Sequence, residues 1–293
     1  MYISLDIGGT KLMVAAFSEG HEIVARERAD TPGSLEQGLE LLKRMAHTLA
    51  SGRPVRAIGA SAGGPLNYRT GVVSPLHMPS WRKVPLKAIM EAEFNAPFAV
   101  DVDTNAAALA EYSFGEGQGD RLLYITVSTG MGGGLVADGD LYRGTQGTHQ
   151  EIGHQTIPYR LPVSGPIACS CGSSDCVEAI VSGTAIRAHY GKPAEELSAA
   201  EWEQVAYNLG QALRNASALY APDRIVLGGG VCVGGGERLV TQIQNMLDAT
   251  LKIVPSPRVS LSSLGYDTAL WGGLAMALRA EREASHNAAG LPK

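Results

Sequence analysis

His154, Cys169, Cys171 and Cys176 are four metal-binding side chains in one short stretch: Glu151-Ile-Gly-His154, a gap, then Cys169-Ser-Cys171-Gly-Ser-Ser-Asp-Cys176-Val-Glu178. Three thiolates and one imidazole fill a tetrahedral shell and leave no place for water. That is the donor set of a structural zinc rather than a catalytic one. The bland alternative is chance cysteines in a surface loop, and three cysteines crowded just after a histidine argue against it. Carboxylates bracket the cluster, with Glu151 ahead of His154 and Glu178 behind Cys176. A metal-stapled loop holds two carboxylates and an imidazole in fixed positions, which suits a polyhydroxylated ligand. With one ring nitrogen of His154 on the metal, the other is available to a hydroxyl. His149, close by, reads as a solvated or packing residue.

A second chemistry sits at the start of the chain. Asp6-Ile-Gly8-Gly9-Thr10-Lys11 follows one apolar strand and precedes another. The spacing is not that of a P-loop, and a strand rather than a helix follows. The turn still suits phosphate: two glycines let backbone N–H groups face an anion, and Thr10 and Lys11 add donors. Asp6 is placed to hold a hydrated Mg²⁺. The plain reading, a hairpin turn with a solvated lysine, loses ground because the pattern recurs at Ser128-Thr129-Gly130-Met-Gly132-Gly133-Gly134. Asp101-Val102-Asp103-Thr104-Asn105 ends a strand and opens a helix. Asp101 reads as a cap or structural group. Asp103 reads as a base for a sugar hydroxyl. Phosphoryl transfer asks little more than a base, a metal and donors along the phosphates. Gly228-Gly229-Gly230 after a buried strand leaves room for a ring or ribose, and Gly234-Gly235-Gly236 adds to an adenosine-binding reading. Close strand–helix packing is the rival explanation for these glycines.

The elements that position these residues alternate between strand and helix. The first hairpin covers 2–17 and a third strand 21–28; helical spacing runs over 35–49, with Leu35, Leu39, Leu42, Met45 and Leu49 on one side. A strand over 55–60 ends in Ser61-Ala-Gly63-Gly64-Pro65, a helix follows over 86–94, then a strand over 97–102 and a helix over 105–112. The second half opens at Arg121 with a matching hairpin closed by Asp138-Gly139. Helices are expected over 199–219, 237–251 and 267–282, and strands over 224–227 and 259–262; the tail from Glu283 reads as disordered except where it continues the last helix. This order is α/β, with the architecture duplicated and the boundary in the loop-like stretch 113–119. The expected domains are 1–115 plus 273–293, and 116–272.

Composition narrows the class. The 293 residues are 45% hydrophobic with a net charge of −5, enough for a substantial core and unsuited to a polyanion-binding surface. No apolar run approaches a membrane span, and the first residues lack a signal-peptide pattern. Three of four cysteines lie in the cluster and Cys232 reads as a buried thiol, so the expected compartment is a reducing cytoplasm. No nucleic acid or membrane partner is expected.

The ordered set of motifs resembles the ROK family of sugar kinases, which includes bacterial glucokinases and N-acetylmannosamine kinases. The matching stretches are those at 6–11, 103–111, 128–134, 151–154, 169–178 and 227–230, nearly the whole chain. The resemblance implies an actin-like, Hsp70-like two-domain fold with the active site in a cleft. It implies an ATP-dependent kinase with Mg²⁺ and a structural zinc, acting on a hexose or N-acetylhexosamine, usually at the C6 hydroxyl. By resemblance Asp103 is the catalytic base, Gly64, Asn105, Glu151, His154 and Glu178 bind the sugar, and Asp6, Gly8, Gly9, Thr10, Lys11, Thr129, Gly130, Gly229 and Gly230 surround the nucleotide. A homodimer is the expected assembly. Departures fall on the sugar side: Val102 replaces the usual Asn, His149-Gln150 replaces small residues, and His77-Met-Pro-Ser-Trp81 stands for Asn-Leu-Pro-x-Trp. Losing a hydrogen-bonding partner at such a place costs about 1–3 kcal/mol. The alternative reading is a catalytically silent sugar sensor. The ROK repressors carry an N-terminal helix-turn-helix, for which residue 6 leaves no room, and retained Asp103 argues for catalysis. A polyphosphate donor would call for a basic groove, and no dense Lys/Arg run is present.

Overall fold

The computed structural model describes residues 1–117, 119, 121–163 and 165–288. It divides into two units, Met1–Ala110 together with the chain from Tyr266 onward, and Glu111–Gly265. The chain begins with β1 (Tyr2–Ile7), β2 (Lys11–Phe17), β3 (Ile23–Asp30), α1 (Leu35–Ala50), β4 (Ala57–Ala62), β5 (Leu66–Asn67), β6 (Val72–Val73), β7 (Val84–Pro85), α2 (Leu86–Phe94), β8 (Phe98–Val102) and α3 (Asp103–Phe114). It continues through β9 (Arg121–Val127), β10 (Met131–Ala137), β11 (Asp140–Leu141), α4 (Glu178–Val181), α5 (Gly183–Tyr190), α6 (Ala199–Tyr220), β12 (Arg224–Gly228), α7 (Gly229–Thr250), β13 (Arg258–Leu261) and α8 (Thr268–Ala288).

The first unit is a five-stranded sheet in the order β3-β2-β1-β4-β8. β1, β4 and β8 are parallel, and β2 and β3 extend the sheet antiparallel. The central strands are buried along almost their whole length because both faces are covered. The edge strand β3, with alternating partly buried and exposed residues, carries Arg26, Glu27 and Arg28, charges that discourage edge pairing. One face buries Ile3, Leu5, Ile7, Ile58, Ala60 and Val100 with Leu42 and Met45 of α1 and Leu86 and Met90 of α2. The register puts polar and small residues on the other face: Ser4 beside Gly59 beside Ala99, then Asp6 beside Ser61 beside Asp101. Residues directly paired across strands share a face.

Helix α8 covers that second face, backbone against backbone. Ser4 Oγ donates to Leu270 O at 2.6 Å. A Cβ on Gly59 would lie 1.9 Å from Gly273 O and 2.3 Å from Ala277 N, so glycine is obligatory there. The C-terminal helix therefore belongs to the first unit from its first turn, and the boundaries fall at 110/111 and 265/266 rather than 115/116 and 272/273. α8 continues to Ala288, past Glu283 where the expected tail starts; the rest of that tail, from residue 289, lies outside the described residues.

The second unit repeats the topology, β11-β10-β9-β12-β13, with β9, β12 and β13 parallel. Its core joins Leu123, Ile125 and Leu227 to Leu209 and Leu213 of α6 and Ile243 and Leu247 of α7. A capping box starts α6: Ser198 N donates to Glu201 Oε2 at 2.6 Å and Glu201 N to Ser198 Oγ at 3.4 Å.

Two expectations change. The run at Gly234–Gly235–Gly236 ends a helical segment that already starts at Gly229, and α7 breaks at Gly236, where φ is 58°, so that its second segment begins where the helix over 237–251 is expected. A Cβ on Gly235 would stand 2.8 Å from Leu239 Cβ and 3.0 Å from the Trp202 ring, so this glycine serves packing. The small sheet β5-β6-β7 and the helices α4 and α5 were not expected. They are too short for hydrophobic periodicity to register. Among the described residues, no helix is long and apolar enough to cross a membrane.

Candidate active site and metal centre

In the first unit the turn between β1 and β2 is closed by Gly8 N donating to Lys11 O at 3.0 Å. Thr31 braces it, with Oγ1 donating to Gly8 O at 2.7 Å and N donating to Thr10 O at 3.0 Å. Gly9 and Thr10 are exposed, and Lys11 Nζ pairs with Asp30. Asp6, at the end of β1, is partly buried; burial lifts its carboxyl to about 7, the nearby charge of Asp103 adds to the rise, and Arg28 opposes it. A cavity of about 620 Å³ opens beside Asp6, Lys11, Arg28 and Tyr266.

Asp103 is exposed on the first turn of α3, where its Oδ1 accepts from Thr104 N at 2.8 Å. Asp101 is buried and structural: its Oδ1 accepts from Val102 N at 2.7 Å and from Asn105 Nδ2 at 3.1 Å. Asn105 is therefore buried against Asp101, and its Oδ1 has no hydrogen bond among the described residues. Val102 turns toward Gly64, on which a Cβ would lie 3.5 Å from Val102 Cγ1. Two neighbouring carboxylates, one of them titrating near neutrality, form a charge arrangement that a hydrated divalent cation relieves. These residues fit Mg²⁺, with Asp6 the one that would hold it.

In the second unit Ser128 and Thr129 are exposed at the turn between β9 and β10, and Ser128 N donates to Gly130 O at 2.8 Å. Glu178, at the start of α4, reaches the same turn: its Oε2 accepts from Met131 N at 2.8 Å. A Cβ on Gly130 would sit 2.9 Å from that oxygen. The start of α5 is tied there as well, Gly183 N donating to Ser128 O at 2.7 Å and Thr184 Oγ1 to Thr129 O at 2.9 Å. Gly229 has φ 83°, and a Cβ on it would meet Val127 O at 2.4 Å, so the backbone passes close under the turn. A cavity of about 670 Å³ is lined by the hydroxyls of Ser128, Thr129 and Thr184, by Gly230, by Ala188, Pro193, Ala194 and Val231, and by Arg187 and Glu195. Hydroxyls with apolar walls fit a nucleotide's phosphates and flat base. Of the sequence candidates, Thr129 and Gly230 line this cavity, beside Thr184, Arg187 and Glu195, which the sequence does not single out. The available signal was Ser182-Gly183-Thr184, a helix start with its N-cap, Ser182 Oγ accepting from Ala185 N.

The four candidate metal ligands of the second unit come together. One donor atom from each of His154, Cys169, Cys171 and Cys176 lies within 4.8 Å of the others. His154 Nδ1 is 3.5 Å from Cys169 Sγ, and Cys171 Sγ is 3.6 Å from Cys176 Sγ. A Zn–S bond of about 2.3 Å gives a tetrahedral edge of about 3.8 Å, so the set fits zinc. The scaffold is the isolated bridges Thr156↔Cys176 and Ala168↔Ser174, a turn at Gly172 with φ 91°, and the pairing of Ile167 with Asp175, where Ile167 N donates to Asp175 Oδ1 at 2.8 Å and Asp175 N to Ile167 O at 2.7 Å. Because Nδ1 faces the thiols, His154 Nε2 points to Glu151 Oε2 at 3.7 Å. His149 Nε2 lies 3.1 Å from Glu151 Oε1, and that hydrogen bond holds the carboxyl below its usual range. His149 is thus a partner of Glu151, not the solvated or packing residue its sequence context indicates. Gln150 is buried, its Nε2 donating to Tyr142 O at 3.0 Å.

A five-stranded sheet order used twice, with a Gly/Thr turn after the first strand of each unit, defines the actin-like class of phosphotransferase folds. Within that class the chain belongs to the ROK family, whose profile matches residues 2–280. It is 30% identical to the glucokinase of Halalkalibacterium halodurans, over 93% of this chain and 93% of that one. It is similar to the crystal structure of the ROK hexokinase from Thermus thermophilus, with TM-score 0.80, 32% identity, and coverage of 96% and 99% of the two chains. A ROK family glucokinase from Streptomyces griseus, solved with glucose and AMPPNP, gives TM-score 0.72 and 29% identity over 95% of this chain and 99% of that one.

Proposed function

We propose that this chain is an ATP-dependent sugar kinase that phosphorylates a hydroxyl of a hexose or N-acetylhexosamine, most simply the C6 hydroxyl. The observation that carries the reading is Asp103, an exposed carboxylate whose charge is felt by Asp6 beside the first Gly/Thr turn. In this reading Asp103 accepts the proton of the attacking hydroxyl. Glu151, His154 and Glu178 take other hydroxyls of the sugar. The backbone at Gly8, Gly9 and Gly130 and the side chains of Thr10, Lys11 and Thr129 surround the phosphates, and Gly229 and Gly230 leave room for the nucleoside. Asp6 would hold Mg²⁺, whose charge offsets that of the phosphates. The zinc set would fix Glu151 through His154 and takes no part in bond making.

A coupled ADP-release assay across glucose, mannose, fructose, allose, N-acetylglucosamine and N-acetylmannosamine tests the reading. Turnover with any one sugar supports it and names the acceptor. No turnover, with a sugar still raising the melting temperature, would assign the chain to sugar sensing instead. Asp103→Asn should lower turnover by about 10²–10⁴-fold while sugar binding by calorimetry is kept. Wild-type turnover in that variant would remove Asp103 from the base role.

A further inference from the structure

Between β6 and β7 the first unit forms a closed surface loop. Ser74 N donates to Pro65 O at 2.9 Å, and Lys83 N donates to Ser74 Oγ at 2.9 Å, which ties the neck. Inside it, Met78 N donates to Pro75 O at 3.1 Å and Trp81 N to Met78 O at 2.9 Å. A loop without a ladder leaves carbonyl groups in need of donors. Arg82 supplies them. Its Nη1 donates to Pro75 O at 2.5 Å and Met78 O at 3.2 Å, with Ser74 O and Trp81 O each at 3.4 Å, and Nη2 reaches Leu76 O at 3.4 Å. The guanidinium stands where a cation would stand, ringed by the backbone oxygens of residues 74–81.

What the loop carries gives the ring its meaning. Leu76 N donates to Gly64 O at 2.9 Å. His77, exposed, lies against the phosphate-type turn: a Cβ on Gly9 would be 3.0 Å from His77 O and 3.1 Å from His77 Cβ. Trp81 anchors the far side, fully buried, with its ring edge against Gly38 of α1.

We propose that Arg82 is a positioning residue for the acceptor sugar: it holds residues 74–81 in the conformation that keeps Leu76 N on Gly64 O, beside Val102 and the start of α3 at Asp103. This rests on the kinase reading above. Arginine suits the task because five N–H donors in a rigid fork serve several carbonyls at once, whereas lysine offers three from one point. Without a cation, converging carbonyl dipoles repel, the loop opens and Leu76 leaves Gly64.

Steady-state kinetics on the full chain with Arg82→Met and Arg82→Lys test this. R82M should raise the sugar KM about tenfold or more, the factor expected for loss of a charge-assisted hydrogen bond, while the ATP KM and kcat stay within about twofold. R82K should fall between, and guanidinium ion at a non-denaturing concentration should restore part of the sugar affinity of R82M. In ligand-free protein, amide exchange over residues 74–81 should quicken in R82M. A folded R82M with an unchanged sugar KM overturns the proposal, as does an equal rise in both KM values without rescue. If R82M does not fold, R82K alone decides, and wild-type sugar KM with wild-type exchange in it is the overturning result. Failure of wild type to phosphorylate any sugar sinks the kinase reading instead, and the exchange measurement separates the two failures.

Discussion

Asp6 has a charge conflict that the ligand-free protein relieves by protonation. Its carboxyl is lifted from 3.8 to about 7, first by burial and then by Asp103, against the pull of Arg28. Between those two values the native state holds more protons than the unfolded chain, so the contribution of Asp6 to stability falls as pH rises from about 4 to about 7. Asp6→Asn removes the charge, so without ligand it should melt above wild type near pH 8, by an amount on the order of a few kcal/mol. The gap should narrow as pH falls and close near pH 4, as read by thermal unfolding across pH. Equal melting near pH 8 would refute the conflict. The same substitution should lose turnover, since stability and function pull on this carboxylate in opposite directions. At this scale the residue types told much. His154 and the three cysteines announce a metal set by identity and spacing, and the structure brings their donor atoms together. The partnership of His149 with Glu151 and the ring around Arg82 are not announced in that way, because they depend on where a chain that is neither strand nor helix happens to fold.

Among elements, the contact of α8 with the first sheet is the most demanding. Gly59→Ala would drive a methyl into Gly273 O and Ala277 N, and should cost about 3 kcal/mol or more in chemical denaturation, the upper range for overpacking. Gly33→Ala, at an exposed site with nothing within 4 Å, is the matched control and should change stability little. A G59A variant as stable as G33A would mean that helix and sheet separate freely. Long elements were legible in the sequence: the helix expected over 35–49 is Leu35–Ala50, and that over 199–219 is Ala199–Tyr220. Where composition and packing disagreed, packing won. Six glycines between residues 228 and 236 spell a loop, yet most of the stretch is helix, because Gly229 must pass under Val127 and Gly235 must clear Trp202. Strands of two residues, such as β5 and β6, give no periodic signal at all.

For the molecule as a whole, the metal loop is a dependency. The described residues between 155 and 176 form no helix or strand beyond two isolated bridges and are held by scattered hydrogen bonds such as Ile167 N to Asp175 Oδ1, so a bound zinc is expected to supply much of their order. Metal analysis should return about one zinc per chain. Chelation should raise the sugar KM far more than the ATP KM and expose residues 155–176 to protease. Acidification should release the metal as His154 and the thiolates take up protons, which a chromogenic zinc indicator follows. A zinc-free protein that is folded and has the wild-type sugar KM would end the dependency.

The return of α8 to the first sheet also sets a timetable for synthesis. Ser4 and Gly59 leave the ribosome early, but Leu270 and Gly273, which cover them, emerge only after all of the second unit has been translated. At about 5–20 residues per second that delay is roughly ten to forty seconds. During it the nascent chain displays a bare strip of hydroxyls, carboxylates and glycine, so the later-made unit is free to finish folding before the earlier one can.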